Sequence, residues 1–284
     1  MHVIVTGGSS GIGLAIATLY ASRGDRVSLL ARHSGRLEQA QAQIAALPGI
    51  DSSRIQIASV DVASAAQVSS AIESCEASFG PCDILIASAG IVEPRTFDAM
   101  PASVFDEQIS INLLGTANVV RAVYRGMKSR RDGRIMMISS GAALIGIFGY
   151  TAYCASKSAL SGFAEALSAE AAACGIRVSI CFPPDTQTPQ YRRELSMRPP
   201  EAAALMGSVK PWSAEAVAAR VVRGIDRGRA KIHFGFSLTM LAYVGPLIKP
   251  LLIWWASRKT RKNIGKETSG SLAESADQRF DHGK

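Results

Sequence analysis

The stretch Thr6-Gly7-Gly8-Ser9-Ser10-Gly11-Ile12-Gly13 constrains this chain more than any other. It follows the β-branched run Val3-Ile4-Val5, which reads as a buried parallel strand, and precedes Leu14 to Tyr20, which reads as a helix. Strand, glycine turn and helix form the setting in which a glycine pattern implies phosphate binding. Gly7 permits a tight turn with a backbone geometry closed to other residues. Gly11 and Gly13 keep side chains away, so the backbone can approach a pyrophosphate and the helix can pack on the sheet. The helix N-terminus then offers N–H donors and a positive dipole end to the anion. Gly7, Ser9, Ser10, Gly11, Ile12 and Gly13 are therefore candidate cofactor-binding residues.

The same alternation continues downstream. Strands are expected at Arg26–Ala31, Arg54–Val60, Asp83–Ala87, Gly133–Ser139, Arg177–Cys181 and Lys231–Phe234. Between them, helices are expected at Ser34–Ala46, Ser64–Phe79, Phe105–Arg130, Tyr153–Ala173 and Ser213–Arg227. Alternating strands and helices predict an α/β fold, a doubly wound, Rossmann-like parallel sheet with helices on both faces. A length of 284 residues suits one such domain with an appendage. The composition changes at Phe236 and again at Arg258, giving a catalytic domain over 1–235, an apolar segment over 236–257 and a basic, then polar tail over 258–284.

The ends of successive strands specify the cofactor. The residue after the second strand faces the adenosine ribose in a doubly wound fold, where an acid binds a free 2′-hydroxyl and a cation favours a 2′-phosphate. Arg32 stands there without an acidic neighbour in sequence, and Arg36 follows one helical turn on, so NADPH is expected over NADH. Asp61 and Val62 close the third strand and are placed to meet the adenine. Ala89 and Gly90 follow the fourth, where small residues let a cofactor pass.

Tyr153 and Lys157 supply the reactive pair, since residues i and i+4 share a helix face. A free phenol titrates near pH ~10. A nearby ammonium favours the phenolate, and lowering it to ~7 takes about 4 kcal/mol of differential stabilisation. Tyr150 lies two turns from Lys157, too far to share this role. Ser139 and Ser140 end the fifth strand, where a hydroxyl could hold a substrate oxygen. Asn112 lies inside a helix, where asparagine is a poor former, so a side-chain role would explain it.

Together these motifs resemble the short-chain dehydrogenase/reductase superfamily over roughly residues 2–235. The resemblance implies Tyr153 as general acid in ketone reduction and Lys157 as the partner that lowers its pKa and binds the nicotinamide ribose. It implies that Ser140 polarises the carbonyl, with Ser139 as the alternative register, and that Asn112 holds a water of a proton relay. The stretch Phe182-Pro183-Pro184-Asp185-Thr186-Gln187-Thr188-Pro189 is similar to the 3-ketodihydrosphingosine reductases, as are Ala31-Arg32 and Phe148 to Tyr153. That likeness implies contacts from Pro183, Thr186 and Thr188 to the nicotinamide end, and a long-chain keto lipid as substrate. Two departures stand out: Ala87-Ser88-Ala89-Gly90 replaces the usual Asn-Asn-Ala-Gly or Asn-Cys-Ala-Gly, and the N-terminal membrane segment of eukaryotic members is missing. The superfamily likeness also implies a homodimer or homotetramer, through the helices bearing Asn112 and Tyr153.

Five cysteines without a CxxC pair favour free thiols, and four scattered histidines argue against a metal site. The first strand starts so near Met1 that no signal peptide or N-terminal anchor is expected. The apolar segment is nearly long enough to cross a bilayer, but Gly245, Pro246, Lys249 and Pro250 interrupt it. Arg258, Lys259, Arg261, Lys262 and Lys266 follow, and each would attract anionic lipid by about 1 kcal/mol. The formal charge of +8 gathers there without aromatic interleaving, which favours an anionic membrane surface over nucleic acid. The expectation is a monotopic attachment at the cytoplasmic face of a membrane; the alternative is a lid or dimer surface over an apolar pocket. Other apolar ketones, such as steroid, retinoid-like or 3-ketoacyl substrates, form the second enzymatic reading. A non-catalytic nucleotide-sensing or scaffold protein is the third.

Overall fold

Chain direction is set by β1 (His2–Thr6), whose Val3, Ile4 and Val5 are fully buried. In the computed structural model, which describes residues 1–206 and 210–245 with positions 247, 250 and 254, β1 leads into α1 (Gly11–Ser22). β2 (Arg26–Ala31), α2 (Ser34–Ala45), β3 (Ile55–Ser59), α3 (Ala65–Phe79) and β4 (Ile84–Ala87) complete the first half. The second half runs through α4 (Ala102–Ile109), α5 (Gly115–Arg130), β5 (Gly133–Ile138), α6 (Thr151–Ala172) and β6 (Ile176–Phe182). It then passes β7 (Thr186–Gln187), α7 (Pro189–Leu195), α8 (Pro200–Met206), β8 (Trp212–Ser213), α9 (Ala214–Asp226) and β9 (Lys231–His233). A last helix, α10, occupies 235–245.

Seven parallel strands form the main sheet in the order β3-β2-β1-β4-β5-β6-β9. Alternate residues of each strand feed opposite cores. Ile4, Leu85, Ile135 and Met137 pack with Val68, Ile72, Val119, Val123 and Leu160 on one face. Val3, Val5, Ile84, Ile86 and Met136 pack with Ile16, Leu37, Val217 and Val221 on the other. Each such aliphatic side chain contributes roughly 1.5–3 kcal/mol by leaving water, so both faces of the sheet are committed. Strand order reverses between β1 and β4, and Thr6 pairs with Leu30 and Ala87, so the carboxyl ends of all three meet at this reversal. The crevice opened there is the ligand position of a doubly wound sheet.

Several boundaries differ from the sequence expectation. The long helix begins at Ala102 rather than Phe105, and a π-helical turn at Ser110–Leu114 divides α4 from α5. Arg54 belongs to a 3-10 turn, capped by the Asp51 carboxylate, and not to β3. α7, α8 and the short β7–β8 pair were not anticipated. The segment 236–257 lies only partly within the described residues, and 258–284 lies outside them. Among the described residues, no helix is long and apolar enough to cross a membrane.

Candidate active site

The glycine turn is shaped by contacts only glycine allows. Gly7 takes φ +66°, and a Cβ there would stand 2.8 Å from the Ser88 carbonyl oxygen. Gly11 takes φ +57° against the Thr188 methyl, and a Cβ on Gly13 would collide with the Gly7 carbonyl. Ser10 is the extended N-cap of α1, yet its hydroxyl does not cap, leaving the leading N–H groups open to an anion. Thr6 Oγ1 accepts the N–H groups of Ser88 at 3.1 Å and Ala89 at 3.2 Å, tying the end of β4 to the end of β1.

Arg32 follows β2 and Arg36 sits exposed in the first turn of α2, whose N-cap residue His33 also makes no side-chain cap. The structure brings an acid to Arg32 that its sequence neighbourhood lacks: Glu107 of α4, at 3.6 Å. Both side chains are about half exposed, and such a pair is worth about 0–1 kcal/mol. Asp61 folds back so that Oδ1 accepts the Ala63 N–H, while Val62 is buried against Gly115 of α5.

Tyr153 and Lys157 lie one turn apart on α6, with Lys157 Nζ 5.9 Å from the phenol ring centre. Lys157 is 5% exposed, donates to the Ile138 carbonyl at 3.0 Å, and is pushed down to about 8 by burial. Burial pushes the Tyr153 phenol above its ordinary value; the Ser140 hydroxyl is the group that most opposes this, while the Glu194 and Asp185 carboxylates add to it. The sequence expectation of an ammonium-lowered phenol is thus corrected for this state of the site. Here the phenol is held protonated, the form a proton donor requires.

The two serines separate cleanly. Ser139 is buried and donates its hydroxyl proton to the Lys157 carbonyl at 2.9 Å, which ties β5 to α6, while the residue still borders the cavity. Ser140 faces the cavity and accepts the Ala142 N–H at 3.1 Å. Asn112, in the π-helical turn, is fully buried, and its side chain is committed to protein partners. It accepts the Ile91 N–H and donates to the Ile91 carbonyl and to Ser156 Oγ. Ser156 in turn donates to the Tyr153 carbonyl. Asn112 therefore clamps the Gly90–Ile91 segment to α6 with both amide hydrogens used, while Oδ1 keeps a second acceptor position. Gly90 is the complement: a Cβ there would stand 3.1 Å from Asn112 Oδ1 and 3.2 Å from Lys157 Nζ.

A cavity of about 540 Å³ opens from Tyr153 and Ser140. Ile12, Pro183, Thr186 and Thr188 line its cofactor side, and Phe236, Leu238, Met240 and Leu241 of α10 line its far side. The Thr186 and Thr188 hydroxyls make local bonds, Thr186 to the Pro184 carbonyl and Thr188 as the N-cap of α7.

Residues 1–198 match the family model for short chain dehydrogenase. The chain belongs to the short chain dehydrogenase family. Among similar proteins, 3-dehydrosphinganine reductase of Danio rerio is 39% identical over 82% of this chain and 71% of its own length. The 3-ketodihydrosphingosine reductase of Bos taurus is 37% identical over 85% of this chain and 73% of its own. The crystal structure of levodione reductase superposes with a TM-score of 0.75 at 26% identity, covering 82% of this chain and 95% of that chain.

As a short chain dehydrogenase, the protein is an oxidoreductase acting on CH–OH groups with a nicotinamide cofactor. The cradle fits that cofactor: positive-φ glycines, a close approach that a Cβ would fill, and an uncapped helix N-terminus at the sheet's reversal point. Sequence reasoning missed Thr6 and Ser156 as positioning residues. It also set Tyr150 aside, although the Tyr150 hydroxyl donates to Glu194 at 2.7 Å on the cavity wall.

Proposed function

We propose that the enzyme reduces the ketone of 3-ketodihydrosphingosine to the alcohol of dihydrosphingosine, using NADPH. One observation carries this beyond the family: the cavity that starts at Ser140 and Tyr153 continues under α10 along Leu238, Met240 and Leu241, an apolar path for a long chain. The similarity to 3-dehydrosphinganine and 3-ketodihydrosphingosine reductases supports the same substrate.

The glycine cradle would hold the pyrophosphate of the reduced dinucleotide, whose nicotinamide would supply the hydride. The chain's own residues do the rest. Ser140 donates to the ketone oxygen and polarises it, and Tyr153, protonated at the cavity wall, delivers its proton as the alkoxide forms. Lys157 presents its amine between Gly90 and the Tyr153 ring, within reach of a ribose hydroxyl. Arg32, Arg36 and the open end of α2 favour a 2′-phosphate, because the exposed Glu107 is a weak competitor for Arg32.

The proposal includes a monotopic attachment to the cytoplasmic face of a membrane. Phe236, Met240, Tyr243 and Leu247 are exposed at helical spacing on and beyond α10, with Phe236 80% and Tyr243 72% exposed. Leu238 of α10 packs against the core and lines the cavity with Phe236, Met240 and Leu241, so Phe236 and Met240 border both the cavity and the outside, and lid and membrane contact are compatible in one helix. It further includes a homodimer or homotetramer through the helices bearing Asn112 and Tyr153. An assay of NADPH oxidation by the purified full chain tests the activity. Turnover is expected with 3-ketodihydrosphingosine above a steroid ketone, a retinoid-like aldehyde and a 3-ketoacyl thioester; faster reduction of any of these three would overturn the substrate.

A further inference from the structure

One wall of the substrate cavity is charged. Glu194 of α7 lines the cavity and is 9% exposed; its Oε1 accepts from the Tyr150 hydroxyl at 2.7 Å and from Arg198 at 2.8 Å. Arg198 also donates to Asp185 Oδ2 at 2.8 Å, and its guanidinium is backed by the Tyr191 ring. Two carboxylates share one guanidinium, so the partly buried cluster carries one excess negative charge. Glu194 Oε2 and Asp185 Oδ1 have no hydrogen-bond partner among the described residues, although both residues line the cavity. Lys210, the cavity's other charged wall residue outside this cluster, is exposed, and solvent screens it.

An unpaired charge at an apolar wall is costly unless a counter-charge arrives. We infer that Glu194 and Asp185, pinned in place by Arg198 and Tyr150, form a subsite for an ammonium group carried beside the ketone of the substrate. The inference rests on the proposed substrate, whose amine is on the carbon next to the ketone. Position agrees: the Tyr150 ring, whose hydroxyl Glu194 accepts, lies 6.3 Å from the Tyr153 ring, and both carboxylates hold the Tyr153 phenol toward its protonated form. A cation bound between the carboxylates would offset their field at the atom that gives up the proton. The subsite would select long-chain amino ketones over plain long-chain ketones.

The test compares the full chain with NADPH on two ketones of equal chain length: a 2-amino-1-hydroxy-3-ketone and its counterpart lacking the amine. For the wild type, kcat/KM is expected to favour the amino ketone by about 10- to 100-fold, the range of a charge-assisted hydrogen bond, mostly through KM. This comparison needs no variant, so folding does not enter it. Glu194→Gln and Asp185→Asn are then each expected to shrink the ratio, a change that loss of packing alone would not produce. Equal kcat/KM for the two ketones in the wild type, or a ratio unmoved in both variants, overturns the subsite alone. Reduction of neither ketone overturns the substrate and the subsite together.

Discussion

Lys157 is an ammonium in a place that penalises charge, and Lys157→Met isolates the penalty. The side chain is 5% exposed, and its Nζ has the Ile138 carbonyl as its hydrogen-bond acceptor among the described residues, so burial brings its pKa from 10.5 to about 8. The unfolded chain holds this proton more tightly than the folded one. The folded state therefore bears the full penalty below about pH 8 and sheds it as pH rises toward the unfolded value. The gap between about 8 and 10.5 corresponds to about 3 kcal/mol at neutral pH, of which about 2 kcal/mol disappears between about pH 7 and about pH 9.5. In the variant the Ile138 carbonyl loses its donor at every pH, at a cost of about 1–3 kcal/mol that cancels in the comparison. Urea unfolding of both proteins at the two pH values reads the difference. Lys157→Met is expected to gain on the wild type by about 2 kcal/mol at the lower pH relative to the higher, while losing ketone reduction at both. A stability difference that stays constant with pH would refute the reasoning.

Three further outcomes follow from the geometry. Gly13→Ala pushes a methyl into the Gly7 carbonyl and is expected to cost about 1–3 kcal/mol of stability and to weaken dinucleotide binding at least about tenfold; calorimetric binding and thermal unfolding check both. Arg32→Ala is expected to weaken NADPH far more than NADH, and equal effects in fluorescence titrations would remove the case for the 2′-phosphate. The full chain is expected to sediment with anionic vesicles, less so at high salt and less so as Phe236→Asp with Tyr243→Asp; indifference to lipid charge and to both substitutions would leave α10 as a lid alone.

The sheet was legible because its central strands, β1, β4, β5 and β6, are short β-branched or aliphatic runs buried on both faces and followed within a few residues by glycine or proline. The glycine cradle was legible because positive φ and close approach leave glycine no substitute. Tyr153 and Lys157 were legible from one helical spacing. Adjacent Ser139 and Ser140 could not be told apart in sequence: alternation sends one hydroxyl into the β5–α6 junction and the other into the cavity. Glu107 meeting Arg32, and Asn112 reaching both Ile91 and Ser156, are contacts made by the fold between distant segments. α7 and α8 are seven residues each, too short for apolar periodicity to register. The i,i+4 pair Glu194 and Arg198 was visible in that stretch, but its partners Tyr150 and Asp185 come from elsewhere in the chain.

The central claim is that the Tyr153 phenol, protonated and beside Ser140, delivers the proton to a ketone in this cavity. Single-turnover reduction of 3-ketodihydrosphingosine by the NADPH-loaded enzyme, wild type against Tyr153→Phe, tests it most directly. The account predicts a loss of about 10²- to 10⁴-fold in the rate with NADPH affinity kept within a few-fold. A variant that turns over at the wild-type rate would contradict it.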